Sequence, residues 1–472
     1  MLDAAASPRL PTGRPLVERA LAPFRRFAAT EAAGGVVLLA CTVVALIWAN
    51  SPWGATYERL WEQRVILAAG PLAVNATLHQ VINDGLMAIF FFLVGLEIKR
   101  EILAGELASL RKSALPVAGA VGGMLVPALI YFALNAGGPG AHGWGVPMAT
   151  DIAFAIGVLA LLGDRVPISL KVFLTALAIA DDIGAVLVIA AFYSSGIAWG
   201  ALGIAALLLL VSIGANAARV RAPWVYALIG VALWIAVVAS GVHGTVAGVL
   251  LALTIPVHTR VNETEFLDQG RRALDDFDGS LECPSPGLSV TVLTNEASQD
   301  ALHRLEELCE QAQPPLHRLE HALHGLVAFC IMPLFALANA GVHLSGDIGA
   351  ALVSPVTLGI VLGLVLGKPI GITLVSWLAV RASIADKPTD ASWRMLHSVS
   401  WLGGIGFTMS LFVAGLAFPG TEGAPLLADA KVGILAASVV AGIVGWLILR
   451  RVGQSTASAM EGATAEPSGV AA

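Results

Sequence analysis

Long apolar runs, separated by short polar or glycine-rich interruptions, dominate this chain. They fall at roughly 30–49, 78–97, 114–135, 146–162, 170–193, 200–216, 223–239, 241–256, 322–341, 355–379, 396–418 and 428–449. Most approach the ~20 residues that a helix needs to cross a bilayer, and two or three are shorter. The pattern predicts an all-α integral membrane protein of about twelve transmembrane helices. Only Ser240 separates the runs 223–239 and 241–256, so hydropathy does not place their turn.

Polar stretches divide the chain further. Residues 1–27 form an Arg-rich N-terminal segment without the marks of a cleaved signal peptide, and helices 1–8 lie within 28–256. Residues 257–317 carry charge runs such as Arg271-Arg272 and Asp275-Asp276; they read as a long solvated loop or a small regulatory appendix. Helices 9–12 follow within 318–451, and the small, polar residues 452–472 read as a disordered tail. Near 60–77, Gly70-Pro71 sits between two β-prone runs, which suggests a hairpin, with an irregular loop as the alternative.

Composition agrees with a bilayer as solvent. The chain is 57% hydrophobic and 13% charged, with mean hydropathy +0.80; soluble domains carry about 25% charged residues. A net charge of -6 says little about partners, and nothing marks a nucleic-acid footprint. The four cysteines form no close-spaced pair, so neither a zinc site nor a disulfide framework is indicated, and no cofactor is expected. If both termini are cytoplasmic, eighteen Lys and Arg fall on that side, against Arg59, Arg64 and Lys431 on the other. The positive-inside rule then fixes the orientation and favours an even helix count.

Charges inside the apolar runs carry the functional signal. An aspartate at a helix centre costs about 2.5–3.5 kcal/mol on insertion scales, so such residues mark ion or proton paths. Asp181 and Asp182 are adjacent in the middle of 170–191. Neighbours on a helix point about 100° apart, so one can face an ion while the other takes a different partner. Asp151 follows Thr150 after the Gly- and Pro-rich stretch 137–147. It caps a helix beginning there, or it joins hydroxyl and freed carbonyl oxygens as a hard ligand set for Na⁺. Lys368 lies near the centre of its run and must pair or lose its charge, unless it snorkels to an interface. Gly404 and Gly406, with Gly403, suggest a broken or closely packed helix.

Weaker candidates sit near the ends of the runs. Asp84 opens the second helix, and Glu97 ends it beside Lys99 and Arg100, where an interfacial charge pair is the simpler reading. His243 either caps the next helix or titrates near neutrality. Glu320, His321 and His324 form a titratable patch where the chain re-enters the membrane.

Eight motifs in order give these segments a resemblance to the NhaA family of sodium/proton antiporters. They are GLEIKRE at 95–101, ATDIAFAIGVLALLG at 149–163, ALAIADDIG at 176–184, SGVHGTVAGV at 240–249, RLEHALH at 318–324, PLFALANAG at 333–341, GLVLGKPIG at 363–371 and GIGFTMSLF at 404–412. The resemblance implies twelve helices with two inverted repeats and two broken helices crossing at the midplane, here those of Thr150-Asp151 and Gly404-Gly406. It implies Asp182 as main ion ligand beside Asp181, with Asp151 and Thr150 at the crossing and Lys368 as partner of Asp181. It implies that Glu97, His243, Glu320, His321 and His324 tune the response to pH. It implies electrogenic exchange of Na⁺ or Li⁺ for about two protons in a bacterial inner membrane, by a homodimer joined through the external hairpin. The loop at 257–317 is about fifty residues longer than the family pattern. From charge alone, buried carboxylates neutralised by either Na⁺ or protons suffice for exchange, with Asp151 suited to helix N-termini and Lys368 to C-termini. A cation-coupled symporter of a small solute and a gated cation channel are the alternatives.

Overall fold

In a bilayer every backbone polar group must find its partner inside the protein, so helices carry the chain across. The computed structural model describes residues 33–69, 72–163, 166–194, 196–259, 261–281, 295–342, 348–388 and 390–464. The N-terminal segment 1–27, Gly70-Pro71 and the last tail residues lie outside these. Among the described residues seven helices are long and apolar enough to span, three more spans come from bent helix pairs, and two apolar helices are shorter.

Helix α1 (Ala33–Ala49) is followed, after a 116° bend, by the short α2 (Gly54–Trp61). Strands β1 (Arg64–Ala69) and β2 (Leu72–Thr77) then pair antiparallel, with Arg64 opposite Thr77 and Ala69 opposite Leu72. The hairpin predicted near 60–77 is therefore present, and the irregular-loop alternative is not. Next come α3 (Leu78–Ala104), α4 (Leu110–Asn135), a 3-10 run at Pro139–Met148, α5 (Ile152–Ala160) and α6 (Ile168–Phe192). The 3-10 run occupies the Gly- and Pro-rich stretch, so this span begins earlier than its apolar run at 146. Three more follow: α7 (Trp199–Ala217), α8 (Pro223–Ala239) and α9 (Thr245–Thr254). The turn that hydropathy left unplaced lies at 240–244, where Gly241 adopts φ +82°.

Residues 257–317 are not a solvated loop throughout. Helices α10 (Glu263–Leu281) and α11 (Glu296–Ala312) pack against each other and bury Ala273, Ala301 and Leu308. The charge runs concealed an apolar stripe of helical period. The membrane part resumes with α12 (Pro315–Asn339), α13 (Pro355–Arg381), α14 (Trp393–Gly404), α15 (Phe407–Ala417) and α16 (Gly420–Thr464). The last helix runs through residues 452–464, where small polar composition suggested disorder; the Ala, Met, Gln and Glu there are compatible with a helix.

Two features position the interior. Helices α4 and α13 approach closely, backbone against backbone: a Cβ on Gly122 would stand 2.1 Å from the Gly371 carbonyl oxygen. Within α13, residues Gly363–Gly367 form a wide π turn just before Lys368-Pro369. Pro369 lacks an N–H and its ring would strike the carbonyl four residues back, so the helix widens there. The turn Val327–Ile331 ahead of Pro333 in α12 repeats the arrangement. Outermost is α7, with only Ala205 and Ser212 buried, so its large apolar side chains must meet lipid.

Since α10 and α11 pack chiefly against each other, removal of residues 262–312 with a short linker should leave intact the ion exchange that the resemblance implies. Vesicle transport assays check this; a well-folded but inactive variant would show that the hairpin belongs to the transport machinery.

Candidate ion-binding site

Two broken helices meet where their backbones are free. One bends by 42° between Met148 and Ile152, the other by 47° between Gly404 and Phe407. The extended residues at these breaks exchange bonds. Asp151 N–H donates to the Ile405 carbonyl (2.7 Å), and the Thr150 hydroxyl donates to the Gly403 carbonyl (2.9 Å). Ser410 Oγ donates to the Val146 carbonyl (2.9 Å).

Asp151 completes the crossing. One carboxylate oxygen accepts from Phe154 N–H (3.0 Å) and so caps α5. The other accepts from Thr408 N–H (3.1 Å) and from the Thr408 hydroxyl, at the start of α15. One fully buried carboxylate thus serves two helix N-termini, where orphan N–H groups and partial positive charge favour it. Capping is observed, and it is doubled. Thr408 was not singled out in the sequence; its place two residues after Gly406, at a helix start, was the available signal.

Lys368, with no exposed surface, reaches the same place from α13. Its Nζ donates to Asp181 Oδ2 and to Thr150 Oγ1, each at 2.7 Å. It does not turn to the carbonyl ends of the broken helices, as a dipole argument alone suggested. Thr150 Oγ1 and Asp151 N–H take those carbonyls instead.

Asp181 and Asp182 are 1% and 3% exposed on α6, and their surroundings differ. Asp181 Oδ2 holds Lys368, whereas its Oδ1 has no hydrogen-bond partner among the described residues. The Asp182 carboxylate has no hydrogen bond or ion pair among the described residues. The charges that act on it are Asp181, Glu97, Asp151 and Lys368. The site therefore presents three uncommitted carboxylate oxygens in a buried place beside one ammonium group, a donor set suited to a hard cation. Gly404 and Gly406 flank the second break, and a Cβ on Gly404 would stand 2.4 Å from the Leu364 carbonyl oxygen.

The titratable candidates separate into two groups at opposite ends of α3. At one end Glu320 pairs closely with Arg100, which also meets Glu101 at 3.3 Å. Lys99 donates to the carbonyls of Leu253 and Ile255. The simple pairing of Glu97 with Lys99 and Arg100 is therefore not formed, because both cations have better-placed acceptors. Glu97 makes no ion pair among the described residues, and the charges of Glu320, Arg100 and Glu101 all act on it. His321 and His324 are exposed on the same helix as Glu320. At the other end His243 Nε2 lies 3.2 Å from Asp84 Oδ1, and its ring packs on Phe412. Beside it, Tyr193 donates to the His142 carbonyl (2.9 Å) and accepts from Gly145 N–H (3.2 Å), latching the 3-10 run to the end of α6. The sequence reading missed Tyr193, and nothing in its local pattern marks it.

The profile of the family described as Na+/H+ antiporter 1 matches residues 25–449. The Na(+)/H(+) antiporter NhaA of Oleidesulfovibrio alaskensis is 51% identical over 92% of this chain and 95% of its own length. That of Koribacter versatilis is 50% identical over 95% and 94%. The Na(+)/H(+) antiporter NhaA 1 of Myxococcus xanthus is 44% identical over 95% and 96%.

Lys368→Ala should destabilise the protein, because loss of one partner strands a buried carboxylate at up to about 3–5 kcal/mol. Uptake of a proton by Asp181 reduces that cost, so the loss should be smaller at low pH. Melting in detergent at two pH values checks it; an unchanged melting temperature at both contradicts the pairing.

Proposed function

This chain belongs to the Na+/H+ antiporter 1 family, and from that premise we propose that Asp182 and Asp181 carry the Na⁺ that it exchanges for protons. The observation behind this is the asymmetry between two adjacent buried carboxylates: Lys368 holds one, and the other has no partner among the described residues. An ionised, unpaired carboxylate is costly to carry through a closed state in a low-dielectric interior. Neutralisation by Na⁺ or by a proton removes that cost. Each side of the membrane can then replace one neutralising partner with the other, and exchange follows.

Lys368 extends the scheme. Na⁺ at Asp182 competes with the ammonium group for Asp181, so ion entry loosens the bond to Lys368. Proton release from both sites during Na⁺ binding gives about two protons per Na⁺ and an electrogenic cycle. Li⁺, also a hard cation, fits the same oxygen set. In our reading the protein is a homodimer in the bacterial inner membrane, joined through the β1–β2 hairpin, with both termini cytoplasmic. Glu97, Glu320, His321 and His324 then tune the response to pH from the cytoplasmic side, and His243 from the other.

Asp182→Asn should abolish exchange and leave insertion and folding intact, since it keeps the shape and removes the charge. The assay is Na⁺-induced collapse of a preset pH gradient in everted vesicles; wild-type rates from that variant would sink the assignment.

Competition at one site makes a sharper prediction. Below the pH at which the site loses its proton, apparent Na⁺ affinity should fall about tenfold per pH unit for one displaced proton, which is about 1.4 kcal/mol, and about a hundredfold for two. Maximal rate should change far less. Affinity and maximal rate measured separately at four or five pH values decide this. A constant affinity with a falling maximal rate points to a separate valve.

A further inference from the structure

Helices α10 and α11 bury only part of their apolar stripe. Leu267 and Leu274, seven residues apart on α10, are 55% and 56% exposed. Leu302 is 43% exposed on α11, and Cys309, seven residues on, is exposed as well. Seven residues make two helical turns, so each pair lies on one side of its helix. The helices run antiparallel, and the ion pair Asp276–Arg304 (3.0 Å) closes one face of the hairpin. The four apolar residues lie on the other. At its base this face opens into a groove of about 860 Å³ lined by Val261, Glu263, Phe266 and Leu267.

Charge decides what can cover this face. Between 263 and 312 there are twelve carboxylates against three arginines. Such a surface repels an anionic lipid layer, and it repels a second copy of itself. It attracts a basic segment with apolar residues at intervals. Residues 8–27 contain five arginines and one glutamate, with Val17, Leu21 and Phe24 at spacings of four and three. Six candidate spans and the two shorter apolar helices α8 and α9 separate this arm from the hairpin; counted as eight crossings, they bring both out on the same side. The arm is also near enough. It joins α1 at Ala33, next to Gly34, whose Cβ position lies 3.5 Å from Ala328 in α12. The twelve residues from Leu21 to Ala33 can span up to about 40 Å, and α12 rises only about 20 Å from Pro315 to Ala328.

We infer that the arginine-rich N-terminal arm docks on the acidic, leucine-lined face of the α10–α11 hairpin of its own chain. Arg318 at the start of α12 pairs with Glu310 of α11 at 2.9 Å. The arm therefore bears on the element that leads into the helix of Glu320.

Cys309 supplies the test. In the full chain with Cys41, Cys283 and Cys330 changed to Ser, Leu21→Cys is oxidised in phosphatidylcholine vesicles. Phe24→Cys serves as a second variant. An intramolecular disulfide to Cys309 is expected. It should be lost in 1 M NaCl, where charges are screened beyond about 3 Å, and when Arg19, Arg25 and Arg26 are changed to Glu. A cysteine placed at Arg272, on the opposite face, with Cys309→Ser, should not capture the arm. No bond from either position, equal capture at Arg272, or a cross-linked dimer overturns the proposal. So does a bond to neither face together with shielding of position 21 when the vesicles are remade with anionic lipid, which assigns the arm to the membrane.

Discussion

The interior is organised around one ammonium group. Lys368 is buried completely, and its two bonds reach Asp181 on α6 and Thr150 at the first helix break. Thr150 passes the connection to the Gly403 carbonyl at the second break. Three elements distant in sequence are thereby held to α13. A buried ion pair is a weak source of net stability, since desolvation offsets most of the Coulombic gain. Its effect here is selective: it commits one aspartate and leaves the adjacent one uncommitted. The π turn before Pro369 and the glycine contact between α4 and α13 set where that ammonium group stands.

The fold was legible to the extent that the bilayer imposes it. Twelve apolar runs gave twelve apolar segments, because a span must be long and uncharged. The charged residues at depth were legible for the same reason, since Asp181, Asp182, Asp151 and Lys368 violate the local pattern. The hairpin strands were marked by β-prone runs around Gly-Pro. Less visible was anything fixed by partners far along the chain. Arg100 prefers Glu320 over the nearer Glu97, and Lys99 prefers the carbonyls ending α9. No spacing rule reports such competition. The group of His243 with Glu97, Glu320, His321 and His324 came from shared titration chemistry, and position divides it between two ends of one helix. The α10–α11 hairpin was obscured because high charge density overshadows an apolar stripe within it.

Asp151 shows how structural and functional readings of one residue can merge. As a cap it satisfies donors of both α5 and α15. Because the cap is shared, separating the two half-helices would leave buried N–H groups of one of them without this acceptor. Movement of the crossing is thus constrained to keep them together.

The wide turn at Gly363–Gly367 has a consequence for sequence length. A π turn carries one residue more than the α-helical turn it replaces. Deleting a single residue there would remove the bulge and set the Pro369 ring against the carbonyl four residues back, whereas deleting one in the regular turns on either side would rotate everything beyond it by about 100°. Lys368 and the Gly371 contact with Gly122 lie on one side of this turn, and the contact of Gly363 with Pro147 marks the other. Correct facing of both halves therefore depends on a count of residues as well as on their identities. Scanning substitutions leave that count unchanged, whereas a one-codon deletion in the turns on either side of the bulge would disturb it at once.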